Sequence, residues 1–161
     1  MTNLVFLYDY HISKEVIAGI CNYSKRVGKA RIEDVELTFQ GDFTQGFLHL
    51  KRGGKDTLNG VLYNMMDEDV VLIQNFLDIQ YKTKKAKTKV TTGVKSVQTA
   101  IIFVPDVELK LKLPDAKYFE WLKLAYSENE FNESMLDKVL ARTFIKTYPS
   151  IKEKYRLVEK G

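Results

Sequence analysis

The order of hydrophobic patterns along the chain limits its possible folds more than any other feature. The chain opens on a continuous apolar run at 4–7, typical of a strand buried on both faces, and a stripe of helical spacing follows from Val16 to Ile20. Period-two patterns then dominate two stretches, with helical patterns between and after them. Strands are predicted at 4–7, 27–39, 46–50, 58–63, 81–90 and 95–104, and helices after Ser13, at 67–77, after Asp115 and after Asn132. Strands clustered between helices, without regular alternation, predict an α+β fold.

Turn and cap residues predict how these elements are joined. Gly53-Gly54-Lys55-Asp56 predicts a hairpin turn, while Asp115 and Asn132 predict helix N-caps. Cys21 is expected within the first helix, as a buried packing thiol. Alternation along the second strand assigns one set of side chains to the core: Glu33, Val35, Leu37 and Phe39.

Length and composition favour one ordinary globular domain. The 161 residues are 45% hydrophobic and 29% charged, values typical of soluble proteins. A chain of this length can bury roughly two-thirds of the surface that it exposes when unfolded. We predict a single domain over 1–148, followed by a basic C-terminal tail over 149–161.

The charge balance and the N-terminal sequence set the expected location. Lys and Arg number 25 against 21 Asp and Glu, a mild net charge of +4. No apolar run approaches the ~18 residues that span a bilayer, and the N-terminus lacks the basic region of a signal peptide. The sequence therefore predicts a cytoplasmic protein, a monomer or homodimer, without a membrane partner.

The reactive residue types exclude several chemistries. A single cysteine, Cys21, excludes an intramolecular disulfide and a multi-cysteine zinc site. The two histidines, His11 and His49, lack the spacing of metal ligands, so no metal site is predicted. The sequence contains no phosphate-loop, dinucleotide-binding, serine-hydrolase or His-Glu-x-x-His motif.

A run of lysines on one predicted strand is the most conspicuous charge feature: Lys82, Lys84, Lys85, Lys87 and Lys89. Lys85, Lys87 and Lys89 share one face of that strand. The pattern is typical of a solvated sheet face or of an edge strand protected against aggregation. It is also compatible with a stripe that contacts phosphates. Because no aromatic side chains are interleaved for stacking, nucleic-acid binding is the less favoured interpretation.

The segment Tyr8-Asp9-Tyr10-His11 is the first candidate for a ligand site. It follows a buried strand and precedes a helix, whose free backbone N–H groups point toward such a turn. An ordinary polar connection explains the same residues equally well.

Five short segments match, in order, the pattern of a known family. They are Val5-Phe6-Leu7-Tyr8, Val27-Gly28-Lys29-Ala30-Arg31-Ile32, Leu58-Asn59-Gly60-Val61-Leu62-Tyr63, Leu77-Asp78 and Pro114-Asp115-Ala116-Lys117-Tyr118. From Leu4 to about Leu140 the chain resembles the gamma-glutamyl cyclotransferase-like family. The family's own segments are an apolar strand ending in Tyr-Gly-Ser-Asn, then Val-Gly-x-Ala-x-Leu, Val-x-Gly-Val-Leu-Tyr, Leu-Asp and Pro-Ser-x-x-Tyr.

The resemblance implies an α+β fold with a barrel-like mixed β-sheet, flanking helices and one pocket. In active members the free α-amine of the substrate attacks its γ-carbonyl, which releases 5-oxoproline and an amine or amino acid. A turn glycine after the first strand lets backbone N–H groups approach the substrate, and the glutamate of Leu-Asp-x-x-Glu accepts a proton. No cofactor or metal is implied.

This chain departs from the family at both chemical positions. Tyr81 stands where the glutamate is expected, and the resemblance places it at the start of a strand with its side chain in the pocket. A phenol has a pKa near 10 against about 4.3 for glutamate, a handicap of about 4 kcal/mol for a base at pH 7. Asp9 replaces the turn glycine, which adds a Cβ and a negative charge where a substrate carboxylate would lie.

We therefore interpret the chain as a cyclotransferase-fold protein without the family's reaction, a small-molecule-binding or interaction module. A pocket suited to a flat or cationic ligand would be lined by Tyr8, Asp9, Tyr10, His11 and Tyr81. The alternative is an active enzyme that releases 5-oxoproline from a non-standard γ-glutamyl substrate, with its acid/base group moved to Asp9 or Asp78. Nucleic-acid binding through 82–89 ranks third.

Overall fold

The computed structural model describes residues 2–42 and 44–149 as a mixed β-sheet with α-helices packed against it. The strands are β1 (Thr2–Leu7), β2 (Lys25–Gly41), β3 (Phe47–Arg52), β4 (Asp56–Met66), β5 (Thr83–Thr92), β6 (Ser96–Pro105) and β7 (Lys110–Leu111). The helices are α1 (Lys14–Ile20), α2 (Asp67–Leu77), α3 (Ala116–Glu128) and α4 (Ser134–Thr147), with a 3₁₀ turn at Tyr10–Ile12 before α1. The predicted C-terminal tail lies outside the described residues, apart from Pro149. The α+β prediction is confirmed.

The sheet curves until β5 meets β2 at one residue pair, which gives it the form of a partly open barrel. Its strands lie in the order β3-β2-β4-β1-β6-β5, and β7 pairs with β2. Pairing is antiparallel except between β1 and β6, which run parallel with Val5 beside Ile101. At the end of this order, β5 returns to β2 through the pair Arg31 and Thr91. The barrel-like mixed sheet with flanking helices is therefore as the resemblance implies.

Strand β2 connects most of the sheet, because its 17 residues pair with β3, β4, β5 and β7. A bulge between Ile32 and Val35 bends it, with Asp34 at a φ of 60°. Val35 and Phe39 are fully buried, as the alternation predicts. Glu33, however, is exposed and Ile32 is buried. The prediction is wrong at these two positions because the bulge shifts the alternation between the faces.

The connection between β3 and β4 is a corner rather than the predicted hairpin. Among the described strands, β3 and β4 each pair with β2, which lies between them in the sheet. The N–H groups of Gly53 and Gly54 donate to the carbonyl of Asp34 at 2.9 and 3.2 Å. Gly53 has a φ of 92°, and a Cβ on Gly54 would overlap the carbonyl of Val35. The turn prediction is thus correct and the hairpin prediction is wrong.

Local signals at the helix ends agree with the structure more closely. Asp115 is the N-cap of α3 and accepts a hydrogen bond from the Lys117 N–H at 2.8 Å. Asn132 accepts one from the Ser134 N–H at 3.0 Å, but it precedes the N-cap position of α4, which is Glu133.

Cys21 is predicted within the first helix, but it directly follows α1. It is buried there, and burial raises the pKa of its thiol to about 11. This is the environment of an unreactive packing thiol.

The lysine-rich strand β5 lies at one end of the sheet order, with its lysines in solvent. Lys85, Lys87 and Lys89 are exposed, while Thr88 and Val90 are buried on the other face. The two predicted faces of this strand are confirmed, and the arrangement is that of a protected edge. Within the described ranges, no helix is long and apolar enough to cross a membrane.

Candidate functional site

The turn after β1 is held in the interior of the protein. β1 lies within the sheet between β4 and β6, and its Phe6 is fully buried. In the turn, the Tyr10 N–H donates to the Asp9 carboxylate at 2.7 Å, and the Ile12 N–H donates to the Asp9 carbonyl at 3.0 Å. Helix α3 packs against this turn. The first candidate segment therefore lies beneath a helix rather than on an open surface.

Four of the five predicted pocket residues meet around one small cavity. Its lining is Phe6, Leu7, Tyr8, Asp9, His11, Leu77, Gln80, Tyr81, Thr83 and Phe103. The cavity has a volume of about 20 Å³, which is room for one water molecule. A larger ligand would fit only after a lining side chain had moved. Tyr81 and Asp9 therefore share a cavity as predicted, and ligand binding by these residues stays a prediction.

Tyr10, the fifth predicted residue, does not line this cavity. Its ring lies against that of His11, with the centroids 4.1 Å apart, and 5.7 Å from that of Trp121. It is partly exposed and lines a separate groove beside α3. The two rings are in contact, but His11 borders the cavity on one side of this pair and Tyr10 borders the groove on the other.

Tyr81 closes the cavity from the turn that precedes β5. The sequence predicts a strand that begins at Tyr81, but β5 begins at Thr83. Its ring packs on Phe47 at a centroid distance of 5.7 Å, and its phenol interacts with that of Tyr8 in the cavity lining. Burial, and then the nearby Asp9 carboxylate, raise the pKa of the Tyr81 phenol above its ordinary value. The phenol is therefore neutral at pH 7.

Asp9 is a buried carboxyl group without a salt-bridge partner in the described part of the chain. Besides the Tyr10 N–H, its Oδ1 accepts the Tyr118 hydroxyl at 2.7 Å. That hydroxyl in turn accepts the Leu48 N–H at 2.9 Å. Burial raises the pKa of Asp9 to about 6, and the hydrogen bonds from Tyr118 and Tyr10 partly offset the rise. Asp9 therefore exchanges between its protonated and ionised forms near pH 6.

His11 is 1% exposed, and neither of its ring nitrogens has a hydrogen-bond partner among the described residues. Its ring packs edge-on against Phe76 at 5.3 Å. Burial lowers the pKa of the imidazole to about 3, so the ring is neutral at pH 7. A water molecule in the adjoining cavity would supply the missing partner. Across 2–42 and 44–149, no group of three or more His, Cys, Asp or Glu side chains is placed to hold a metal ion.

Asp78, the other acid considered as a relocated base, lies outside the cavity lining. It is exposed, and its Oδ1 accepts the N–H of Thr83 at 2.9 Å and the hydroxyl of Thr83 at 2.6 Å. These bonds close the turn between α2 and β5. The geometry therefore gives Asp78 a structural role.

Tyr118 and Phe47 belong to the site but are not among the residues predicted from the sequence. Tyr118 ends the segment 114–118 that carries part of the family resemblance, which was its one available signal. Phe47 packs on both Tyr118 and Tyr81, at centroid distances of 5.1 and 5.7 Å. The hydrogen bond between Asp9 and Tyr118 joins residues 109 positions apart. No periodicity in a sequence reports such a contact.

Comparison with known proteins identifies the architecture. No protein-family model matches the sequence, and no curated protein matches it. Among solved structures, a gamma-glutamyl cyclotransferase superposes with a TM-score of 0.75 at 17% identity, over 86% of each chain. An uncharacterized human protein superposes with a TM-score of 0.70 at 19% identity, also over 86% of each chain. A yeast gamma-glutamyl cyclotransferase specific to glutathione gives a TM-score of 0.57 at 11% identity, over 90% of this chain and 96% of that one. At these identities the likeness is one of fold.

Proposed function

We propose that this chain, which has the gamma-glutamyl cyclotransferase fold, acts by binding and does not catalyse the release of 5-oxoproline. The observation that supports the proposal is the small volume of the cavity at the expected catalytic position. Tyr81 occupies the place of the glutamate that the resemblance implies, and the lining leaves about 20 Å³. A space of this size holds water rather than a γ-glutamyl substrate.

Tyr81 lacks the protonation state that a general base needs. An ordinary phenol is ionised in about one molecule per thousand at pH 7, which costs a base about 4 kcal/mol. Burial and the Asp9 carboxylate raise the pKa of Tyr81 further. The handicap is therefore larger in the folded protein than for free tyrosine.

Asp9 opposes the family's substrate in two ways. Its carboxylate accepts the Tyr10 N–H and the Tyr118 hydroxyl, so these donors are not free for a substrate group. Above about pH 6 the carboxylate is ionised. It then repels an anionic substrate, and the repulsion is strong because Asp9 is buried away from bulk solvent.

The geometry favours binding at the surface over binding in the cavity. A flat or cationic small molecule, predicted from the tyrosines and Asp9, would require the Tyr81 ring to leave Phe47 and Tyr8. A surface contact requires no such change. The proposed function needs no cofactor or metal. We propose the cytoplasm as its location and a monomer or homodimer as its state.

Purified wild-type protein is expected to release no 5-oxoproline above the uncatalysed rate. The substrate panel would contain glutathione, other γ-glutamyl peptides and γ-glutamyl amines, with 5-oxoproline measured by mass spectrometry. A known cyclotransferase in parallel reactions controls for detection. Turnover of any member of the panel would contradict the proposal.

The position of Asp9, buried in the cavity lining, favours the alternative of an active enzyme with a relocated base. A pKa of about 6 would make Asp9 a usable proton acceptor at the cavity near neutral pH. If the panel yields product, the rate should rise with pH through about 6, and Asp9→Asn should abolish it. Asp78→Asn is the matched control, because Asp78 lies outside the cavity lining and the activity should persist.

A further inference from the structure

An apolar groove lies between α1 and α3, beside the Tyr10–Ile12 turn, and we call it the α1–α3 groove. Its apolar lining is Tyr10, Val16, Ile20, Phe76, Trp121 and Leu124. Its volume is about 730 Å³, which is within the range of sites that bind organic groups. Unlike the cavity around Tyr81, this groove can admit a partner without rearrangement.

The floor of the groove is formed by apolar pairs on two helices. Trp121 and Leu124 lie three residues apart on α3 and are 46% and 61% exposed. Residues at this spacing are neighbours on one helix face, and the same holds for Val16 and Ile20 on α1. A single exposed apolar side chain is ordinary, whereas these two pairs converge on one contiguous apolar patch.

The rim of the groove is acidic. Glu15 and Glu128 line it, and no Lys or Arg of the described residues does. Neither carboxylate belongs to a salt bridge within the described ranges, and Glu128 accepts the Lys14 N–H at 3.1 Å. The Lys117 ammonium lies 5.6 Å from the centre of the Trp121 ring, so a cation already packs on that ring. Local acid around an apolar floor favours a basic partner.

We propose that the α1–α3 groove binds an amphipathic helix of a partner protein, with apolar residues along one stripe and Lys or Arg beside it. The proposal rests on the proposed function, in which the chain acts by binding. A helix presents apolar side chains at i, i+3 or i+4, and i+7, which suits an apolar floor flanked by two helices. Basic residues beside the stripe would pair with Glu15 and Glu128.

Trp121 is the single tryptophan of the chain, so its fluorescence reports on the groove. The full chain would be titrated with three synthetic peptides of about 18 residues, which is about five helical turns. One is a Leu/Lys peptide with an amphipathic helical pattern, the second replaces Lys by Glu, and the third scrambles the first. We expect a saturable blue shift with the first peptide and at least about tenfold weaker binding of the other two. Equal binding of the scrambled peptide, or no shift with any peptide, would overturn the proposal.

Exposed positions allow the surface to be tested without disturbing the core. Leu124→Ser and Glu15→Gln should each weaken binding of the Leu/Lys peptide, by about tenfold for the apolar change. Val94→Ser is the matched control, since Val94 is 85% exposed in the turn after β5, outside the groove lining. Thermal unfolding of each variant confirms that the fold is intact. Equal loss of affinity in Val94→Ser, or none in Leu124→Ser, would refute the assignment.

Two further outcomes separate this proposal from its neighbours. The sedimentation coefficient of the wild type could depend on protein concentration, with the dependence lost in Leu124→Ser. This result would identify a second copy of the chain as the occupant and overturn the proposal of a partner helix. Loss of peptide binding alongside an inactive cyclotransferase panel removes the groove proposal and leaves the proposed function. Peptide binding together with release of 5-oxoproline would leave the groove as a binding site and remove the proposed lack of catalysis.

Discussion

Tyr81→Glu alone is expected to release little or no 5-oxoproline, and activity should appear only when Asp9→Gly is added. The glutamate supplies a base with an ordinary pKa near 4.3, a kind of group that contributes roughly 10²–10⁴-fold to rate. In the single variant the Asp9 carboxylate still holds the Tyr10 N–H and the Tyr118 hydroxyl. The two changes should therefore be strongly non-additive, as expected for groups that act on one substrate.

The measurement is 5-oxoproline release from the same panel by the two single variants and the double variant. Asp9→Gly with Tyr81→Gln is the control, because glutamine matches glutamate in shape and lacks its basicity. Asp9→Gly leaves the Tyr118 hydroxyl without its acceptor at a cost of about 1–3 kcal/mol, so each protein must be shown to be folded by thermal unfolding. Full activity of Tyr81→Glu alone would show that Asp9 does not obstruct the substrate.

Asp9→Asn is expected to make the protein acid-sensitive between pH 6 and pH 4, while His11→Leu makes it more stable as pH falls. In the folded protein the pKa of Asp9 rises from 3.8 to about 6. Folding therefore binds a proton, and about 3 kcal/mol of stability is lost as pH rises through this window. The pKa of His11 falls from 6.5 to about 3. For His11, folding releases a proton, and up to about 5 kcal/mol of stability is lost as pH falls from 6.5 to 3.

The contributions of Asp9 and His11 to the free energy of unfolding change with pH in opposite directions, and they nearly cancel in the wild type between pH 4 and pH 6. Each variant should expose the slope of the remaining group, a change of about 3 kcal/mol over the window. The phenols that face Asp9 stay neutral throughout, and the other groups with lowered pKa, Glu36, His49 and Asp56, are common to all three proteins. Urea unfolding at intervals of half a pH unit measures the free energy of unfolding. Parallel curves for the three proteins would show that neither group titrates as described.

The parts of the fold that could be predicted from the sequence are those set by local interactions. The acidic first turn of α2 and the side chain of Asp115 act within a few residues, and the structure has them in these roles; Asn132 binds the Ser134 N–H from one residue before the N-cap of α4. The failure at Gly53 has a different origin. The sequence there does form a turn, but β3 and β4 do not pair with each other because β2 lies between them. The Asp34 carbonyl, at the bend of β2, accepts both glycine N–H groups.

The candidate site also has features that could be predicted from the sequence and features that depend on tertiary packing. The shared cavity of Asp9 and Tyr81 could be predicted, because the family resemblance carries positional information that periodicity lacks. The Tyr118 hydroxyl on Asp9 could not, since it depends on how α3 lies over the turn. Nor could the small volume, because side-chain packing around Phe47 and Tyr81 decides whether a pocket is open or filled.

The pairing of β1 has a consequence for how the chain folds during synthesis. Its partners are distant in sequence, since Leu4 pairs with Asn64 on β4 and Val5 lies beside Ile101 on β6. At roughly 5–20 residues per second, about 3–12 s separate the synthesis of Leu7 from that of Met66. Until then an apolar strand has no neighbour to pair with, a condition that favours aggregation. The turn that carries Asp9 follows this strand directly, so the candidate site forms only after most of the chain has been made.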